Sequence, residues 1–371
     1  MMKTKITTII GTRPEIIRMS EIVKRFDQIF EHRLIHTGQN FEQNLNELFF
    51  ESMNIRKPDF VLSLSALSLA SQLAKIFEAV EEDLIQNRPE AVVILGDTNS
   101  GLSAIIAKRM GIPVYHLEAG NRSFDINVPE ETNRKIIDHT SDFNLVYSES
   151  SRRNLLNEGF HPRSIALIGS PMKEVLEANR LKIEASDILD VLQISAGKFI
   201  LVSVHRQENT NKEDRVSELF DSLNRISTTF EIPVIVTTHP RTKQIIEKSG
   251  KSFVGGVKFL DPFDFYSYCK LQQTARIVLS DSGSLSEEAA ILGFKAITLR
   301  DSMERPEALE TGAVLMSGLS FQAIEEAILV AETSRFKPIP PIEYEIEDSS
   351  ERTVRFIVST LGRHDFWTGK R

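Results

Sequence analysis

Cysteine is almost missing from this 371-residue sequence, in which Cys269 stands alone. A single thiol cannot close an intramolecular disulfide, so a secreted disulfide scaffold is excluded. Long apolar runs are missing too; none approaches the roughly 18 residues that a membrane span requires. A basic excess is also lacking. The 44 Lys and Arg residues face 52 Asp and Glu, a formal net charge of −8, which argues against a nucleic-acid binder. The segment Met1–Lys5 leads into a short apolar stretch that stops at Gly11, without a signal core and small-residue cleavage site. No repeat, low-complexity tract or long charge block occurs. The chain therefore reads as a cytoplasmic globular protein, with no membrane and no nucleic acid among its partners. Its 41% hydrophobic and 26% charged residues suit an ordinary folded chain. Its length suggests two domains, or one large barrel.

What is present is a regular alternation. Short β-rich runs recur at Ile6–Ile10, Arg33–His36, Ala91–Leu95, Val114–Leu117, Phe143–Val146 and Ile165–Ile168. They continue at Phe199–Val204, Val234–Thr237, Val257–Leu260, Ile277–Leu279 and Ala296–Leu299. Between them lie apolar residues at helical spacing, such as Leu69, Leu73, Ile76, Phe77 and Val80. Parallel strands need crossover helices, so this alternation predicts an α/β fold. Polar loops follow the strands in both halves, where open α/β sheets bind their ligands. Two doubly wound domains facing across a cleft fit that pattern better than one barrel. The predicted domains are 1–170 and 171–350, with a hinge at Gly169-Ser170-Pro171 and a helical stretch over Leu176–Leu192 beyond it. A last helix-like segment, Arg352–Leu361 within 351–371, is expected to pack back on the first domain.

In the first half, Gly11-Thr12-Arg13-Pro14-Glu15 separates a strand from a helix with proline near its first turn. Free N–H groups at such a helix start attract anions, and Arg13 and Arg18 add charge. A tight turn with solvated arginines is the ordinary alternative. Asp97 and Glu118 end successive strands, where apolar walls can make a carboxyl a general acid or base. Helix capping would account for Asp97 otherwise, but both residues occupy one sheet edge and a functional role is expected. Glu130 and Glu131 follow Pro129, and the residues alone do not decide between them. Arg134 can meet a phosphate or pair with one of these two glutamates; a plain i,i+4 pair with Glu130 is the ordinary alternative.

In the second half, His205-Arg206-Gln207-Glu208-Asn209 follows a strand directly. His205 there can protonate a departing phosphate and Arg206 can hold one. For His116 and His239, also at strand ends, a structural role is expected. Ser280-Asp281-Ser282-Gly283-Ser284 opens a helix carrying Glu287 and Glu288, a natural phosphate cradle with an acceptor for ribose hydroxyls. A serine cap paired with a glutamate explains part of that motif without any ligand. Arg300 and Arg305 offer further charge for a diphosphate. The eight histidines show no metal-ligand spacing, and Cys269 reads as a packed thiol.

Together these motifs resemble the non-hydrolysing UDP-N-acetylglucosamine 2-epimerase family, in the family's order and over nearly the full length. Gly-Asp-Thr, Glu-Ala-Gly, Pro-Glu-Glu-x-Asn-Arg, His-Arg-x-Glu-Asn and Ser-Asp-Ser-Gly are weak singly and specific in combination. The resemblance implies two Rossmann-like domains of glycosyltransferase B-type architecture, with a UDP-sugar in the cleft between them. It implies an isomerase without a nicotinamide or metal cofactor, and a homodimer. Its implied chemistry is elimination of UDP across carbons 1 and 2, then re-addition after carbon 2 is reprotonated on the other face. By position, Asp97, Glu118 and Glu130 match acid/base carboxylates, and His205 matches the residue at the leaving group. Arg13, Arg134, Ser282, Gly283, Glu288 and Arg305 match nucleotide contacts. Arg18, Arg206, Glu208, Asn209 and Ser284 belong to the expected UDP and substrate site as well.

Asn121 stands where the usual enzymes carry an apolar residue, Ser284 replaces a glycine, and Arg18 stands where lysine is common. The loop from Gly120 to Pro129 is shorter than usual. Gly-Asn-Arg-Ser-Phe-Asp-Ile-Asn-Val-Pro-Glu-Glu (120–131) instead resembles the branch acting on UDP-2-acetamido-2,6-dideoxy-L-hexoses. That branch forms UDP-N-acetyl-L-fucosamine from the L-talo sugar for capsule or O-antigen (lipopolysaccharide) synthesis. UDP-N-acetylglucosamine itself is the alternative substrate. Rivals of another class are a glycosyltransferase, which would need an acceptor, and a sensor that binds UDP-sugars without exchanging a carbon-2 proton.

Overall fold

The computed structural model describes residues 3–39, 49–64, 68–204, 209, 213–238 and 255–369. The chain divides into two compact units, one of residues 1–175 with 345–371, the other of residues 176–344.

In the first unit the strands are β1 (Lys5–Ile10), β2 (Glu31–His36), β3 (Phe60–Val61), β4 (Ala91–Leu95), β5 (Val114–Leu117), β6 (Phe143–Val146) and β7 (Ile165–Leu167). They form a parallel sheet in the order β3-β2-β1-β4-β5-β6-β7. This is the order of a dinucleotide-type fold, with the chain reversing direction across the sheet between β1 and β4. Every residue of β4 and β5 is buried, which is why these strands read as unbroken apolar runs rather than alternating ones. The register sets Leu95 opposite Leu117, so the turns that start at Gly96 and Glu118 leave the sheet side by side.

The second unit repeats the plan. Its strands are β8 (Ile200–Ser203), β9 (Val234–Thr237), β10 (Val257–Leu260), β11 (Ile277–Ser280), β12 (Ala296–Thr298) and β13 (Val314–Met316). They are parallel in the order β10-β9-β8-β11-β12-β13. Apolar residues on both faces of this sheet share clusters with the helices, Val202 with the helical Leu223 and Ile324 in one cluster and Leu201 and Val278 with the helical Leu285 in the other.

The edge strands β3 and β13 have no counterpart among the predicted runs. Two or three residues at a half-exposed sheet edge carry too little pattern to stand out. The helical stretch predicted over Leu176–Leu192 is helical, in three segments, Met172–Ala178, Arg180–Glu184 and Ile188–Leu192. Asn179, buried at the first break, accepts a hydrogen bond from the Tyr266 hydroxyl at 3.3 Å. The passage between units falls at Val175, inside the first of these helices, a little beyond Gly169–Pro171.

Residues 345–371 belong to the first unit. The helix Ser349–Thr360 lies against the helix Arg13–Ile29, which we call α1, through an Arg25–Glu351 pair at 2.9 Å. Its N-terminus is capped from a distance. Glu174 accepts from the Ser349 hydroxyl at 3.1 Å and from the Ser350 amide at 2.9 Å, taking up N–H groups that a helix start leaves open. Tyr115 on β5 closes the other end, its hydroxyl 2.8 Å from that of Thr360.

Candidate functional site

The polar residues of the first unit gather where β1, β4 and β5 end. Glu118 follows β5 with φ +67°, a left-handed backbone that a side chain other than glycine rarely adopts. The turn aims its carboxylate across at β4, so that a Cβ on Gly96 would lie 3.9 Å from Glu118 Oε2. Arg18, from the second turn of α1, donates through Nη1 to that same oxygen, and both side chains are buried. Asn121 Nδ2 faces the other oxygen at 3.4 Å, while its own Oδ1 accepts from the Ser151 hydroxyl at 2.7 Å. The asparagine that replaces an apolar residue thus reaches the carboxylate directly.

Asp97 begins the neighbouring turn. Its Oδ2 accepts from Arg134 Nε at 2.8 Å and lies 2.7 Å from Nη2, a two-pronged grip. Arg134 Nη1 donates to Glu131 Oε2 at 3.0 Å, and that oxygen also accepts from the amide and hydroxyl of Ser123 at 2.9 and 3.0 Å. The i,i+4 pair between Glu130 and Arg134 does not form, because Arg134 turns into the protein toward Asp97 and Glu131. Packing therefore separates the two glutamates of the helix Pro129–Thr140. Glu131 is buried and anchors the loop before the helix, whereas Glu130 is half-buried and has no hydrogen-bond or ion-pair partner among the described residues.

The Gly11–Glu15 turn differs from the expected anion site. The N–H groups of Gly11 and Thr12 are occupied: Glu15 Oε2 accepts both, at 2.5 and 3.3 Å. Thr12-x-x-Glu15 has the spacing of a capping box, a signal present in the sequence beside the tight-turn and anion-site readings. Gly11 is needed because a Cβ would fall 2.0 Å from Ser100 Oγ and 2.3 Å from Thr37 Oγ1. Arg13, half-buried, sits 5.7 Å from the ring centre of Phe49.

Burial raises the Glu15 carboxyl to about 7, with nearby Asp97 adding to the shift, against the pull of the Thr98 hydroxyl and the Gly11 and Thr12 amides. Folded Glu15 therefore keeps its proton up to about pH 7, while the unfolded chain releases it near about 4.3. The folded state binds the extra proton, so its stability is full below the unfolded value and falls as pH rises through about 7. Glu15→Gln removes that slope. Its melting temperature is expected to drop less between about pH 5 and 8 than that of the wild type; equal drops would contradict this assignment.

In the second unit, the loop after β11 keeps its hydroxyls to itself. Ser282 and Ser284 Oγ lie 3.0 Å apart, and the Ser282 amide donates to Ser280 Oγ at 3.0 Å. Ser284 precedes the helix Leu285–Leu292 but makes no side-chain cap bond, so the serine-cap explanation of this motif does not hold. Arg305 Nη1 donates to the Gly283 carbonyl at 3.0 Å, and its guanidinium pairs with Glu304 at 3.1 Å and Glu287 at 3.4 Å. Arg300 meets the same Glu304 at 2.7 Å. Glu288 accepts from Gln272 Nε2 at 2.5 Å. Nothing in the local sequence marks Gln272, which reaches Glu288 from another helix. Asn209 Nδ2 donates to buried Asp281, in the loop after β11, at 3.1 Å. His205, Arg206 and Glu208 lie outside the described residues, as does His239.

Comparison with known proteins decides the family. The profile described as UDP-N-acetylglucosamine 2-epimerase matches residues 24–358. The chain belongs to the UDP-N-acetylglucosamine 2-epimerase family. A relative of that name from Methanococcus maripaludis is 35% identical over 325 residues, covering 85% of this chain and 88% of its own. The UDP-2,3-diacetamido-2,3-dideoxy-D-glucuronate 2-epimerase of Pseudomonas aeruginosa is 33% identical over 338 residues, with 90% and 93% covered. Among solved structures, UDP-N-acetylglucosamine 2-epimerase from Rickettsia bellii has a TM-score of 0.90 at 39% identity, covering 98% of each chain. The Methanocaldococcus jannaschii enzyme in complex with UDP-GlcNAc and UDP also reaches 0.90, at 30% identity and 96% and 100% coverage. A glycosyltransferase from Rickettsia africae, at 0.51 and 11% identity, shares the fold alone. Members of this family are non-hydrolysing isomerases, and the chain is a UDP-sugar 2-epimerase with two Rossmann-like units of glycosyltransferase B type. No described helix is long and apolar enough to cross a membrane.

Proposed function

We propose that this epimerase inverts carbon 2 of a UDP-2-acetamido-2,6-dideoxy-L-hexose, giving UDP-N-acetyl-L-fucosamine for surface-polysaccharide synthesis in the cytoplasm. The proton on carbon 2 is weakly acidic, since no ketone adjoins it. Its removal is coupled to loss of UDP: a carboxylate takes the proton, a double bond forms between carbons 1 and 2, and the bond from carbon 1 to the UDP oxygen breaks. A second acid then protonates carbon 2 on the other face, and the UDP oxygen re-forms its bond to carbon 1. Asp97 and Glu118 are the acid and base in this reading. Each is gripped by an arginine, Arg134 and Arg18 respectively, which fixes its direction. Glu130, without a partner among the described residues, is the third carboxylate available to substrate. The UDP falls to Ser282, Gly283, Ser284, Glu288 and Arg305 of the second unit, with Arg13 and the His205–Asn209 segment supporting the leaving diphosphate.

The observation that carries the 6-deoxy substrate is the environment of Glu118 and the loop beside it. Asn121 hydrogen-bonds the carboxylate, and the following Phe124 and Ile126 are 75% and 95% exposed, with Phe124 strained at φ +54°. Exposed apolar side chains on a strained loop suit a sugar that ends in a methyl rather than a hydroxymethyl group. The names of the Methanococcus and Rickettsia relatives favour a second reading, with UDP-N-acetylglucosamine as substrate. Steady-state turnover of both sugars separates the two. The 6-deoxy-L-hexose is expected to have a kcat/KM at least about tenfold higher, the worth of one substituent in a fitted pocket; the reverse preference would establish the second reading.

A further inference from the structure

Three buried side chains beneath the Asp97 and Glu118 turns have no part in the chemistry described so far. His116 on β5, Asp138 on the helix Pro129–Thr140 and Arg122 are all within 2% of complete burial. His116 Nε2 lies 2.8 Å from the Gly96 carbonyl, and Nδ1 lies 2.8 Å from Asp138 Oδ1. A carbonyl oxygen only accepts. Asp138 is an acceptor as well. The Gly120 amide donates to its two oxygens at 3.1 and 3.3 Å, and Arg122 Nη1 lies 2.7 Å from Oδ2. Burial works to raise the Asp138 carboxyl, but His116 and Arg122 outweigh it and hold it below the usual range. With an acceptor at each nitrogen, His116 donates from both.

The ends of this chain of bonds are what give it meaning. The Gly96 carbonyl belongs to the peptide unit that enters Asp97, and the Gly120 amide lies just past Glu118. All three backbone positions are left-handed, Gly96 at φ +73°, Glu118 at +67° and Gly120 at +78°. Turns of this kind persist only where the surroundings over-determine them. A plain space-filling role explains the network less well, because a buried charged group is commonly matched or bettered in stability by apolar packing. Arg122 extends the network to Glu158 at 2.8 Å, which fixes the guanidinium, and its Nη1 donates to the Asn121 carbonyl at 2.8 Å, a further tie to the loop after Glu118.

We propose that His116 and Asp138 are a positioning pair that holds the Asp97 and Glu118 turns at a fixed spacing. Neither touches the substrate; the pair sets where two carboxylates meet opposite faces of one carbon. The inference rests on the acid/base reading of Asp97 and Glu118. Displacing a reacting group by about 1 Å costs on the order of 100-fold in rate.

His116→Gln and Asp138→Asn, each in the full chain, are therefore expected to lower kcat about 100-fold. KM for the UDP-sugar and the affinity for UDP stay within about threefold of wild type, because uniform binding is untouched. Since the two residues act as one unit, the double variant loses no more than about threefold beyond either single one. A folded single variant with near-wild-type kcat, losses that multiply in the double variant, or KM rising in step with the fall in kcat would overturn the proposal. Should both variants fail to fold, nitrogen-15 NMR of the wild-type protein still tests it: protons on both His116 ring nitrogens are expected, and a single neutral tautomer would overturn it. Failure of the underlying reading looks different. In that case Asp97→Asn and Glu118→Gln would themselves turn over normally, whereas normal His116→Gln beside inactive Asp97→Asn rejects the positioning pair alone.

Discussion

Asp97→Asn and Glu118→Gln are each expected to reduce epimerisation by about 10³-fold, within the usual worth of a general acid or base, with UDP still bound. Both replacements keep shape and remove the charge that accepts a proton. Each also leaves its arginine partner in place: the carbonyl oxygen of the new side-chain amide can still accept from Arg134 in the first variant and from Arg18 in the second. The fold is therefore expected to survive, and the loss to lie in kcat. Isothermal titration with UDP separates the two effects, because the residues proposed for the nucleotide belong mainly to the second unit. Near-normal turnover in both variants would remove these carboxylates from the mechanism.

Gly120→Ala is the second change of large effect, and it acts through the backbone. Gly120 stands at φ +78°, and a Cβ there would fall 2.3 Å from the Ser151 carbonyl oxygen and 2.9 Å from its carbon. A flexible side chain could move away; the start of the helix Glu149–Asn157 cannot do so cheaply. The left-handed backbone adds about 1–2 kcal/mol for any residue with a Cβ, and overpacking a closed site adds about 1–3 kcal/mol. A total of about 3 kcal/mol lowers the melting temperature by several degrees in a chain of this size. The same shift pulls the Gly120 amide from Asp138 and disturbs the Glu118 turn, so activity is expected to fall further than stability. A melting temperature and kcat both equal to wild type would show that the turn is looser than its geometry indicates.

The strands were legible because the central ones are buried on both faces. β4 is the uninterrupted Ala-Val-Val-Ile-Leu of residues 91–95, and a run of that kind followed by Gly-Asp-Thr announces both the strand and the turn that ends it. The loops were legible as positions, less so as contacts. Gly11–Glu15 has the residues of an anion turn, yet the glutamate three places after Thr12 fills that turn itself. Arg134 offered an i,i+4 partner in Glu130 and took Asp97 instead, a choice made by packing 37 residues away in sequence. Ser151 on Asn121 and Gln272 on Glu288 likewise come from other elements, and no spacing rule reaches them. His116 is instructive in another way. A structural role was expected for it, and its hydrogen bonds run to the Gly96 carbonyl and, through Asp138, to the Gly120 amide, beside the two carboxylates proposed for the chemistry.

An epimerase of this kind removes a proton from carbon 2 of a UDP-sugar and returns one from solvent, so turnover in deuterated water leaves a label there. The protein is incubated with UDP-2-acetamido-2,6-dideoxy-L-hexose and with UDP-N-acetylglucosamine, and the products are read by proton NMR. Deuterium at carbon 2 with inverted configuration, formed without any sugar acceptor, is the predicted result. No carbon-2 deuterium in any 2-acetamido UDP-sugar, with the protein folded and binding UDP, would contradict it.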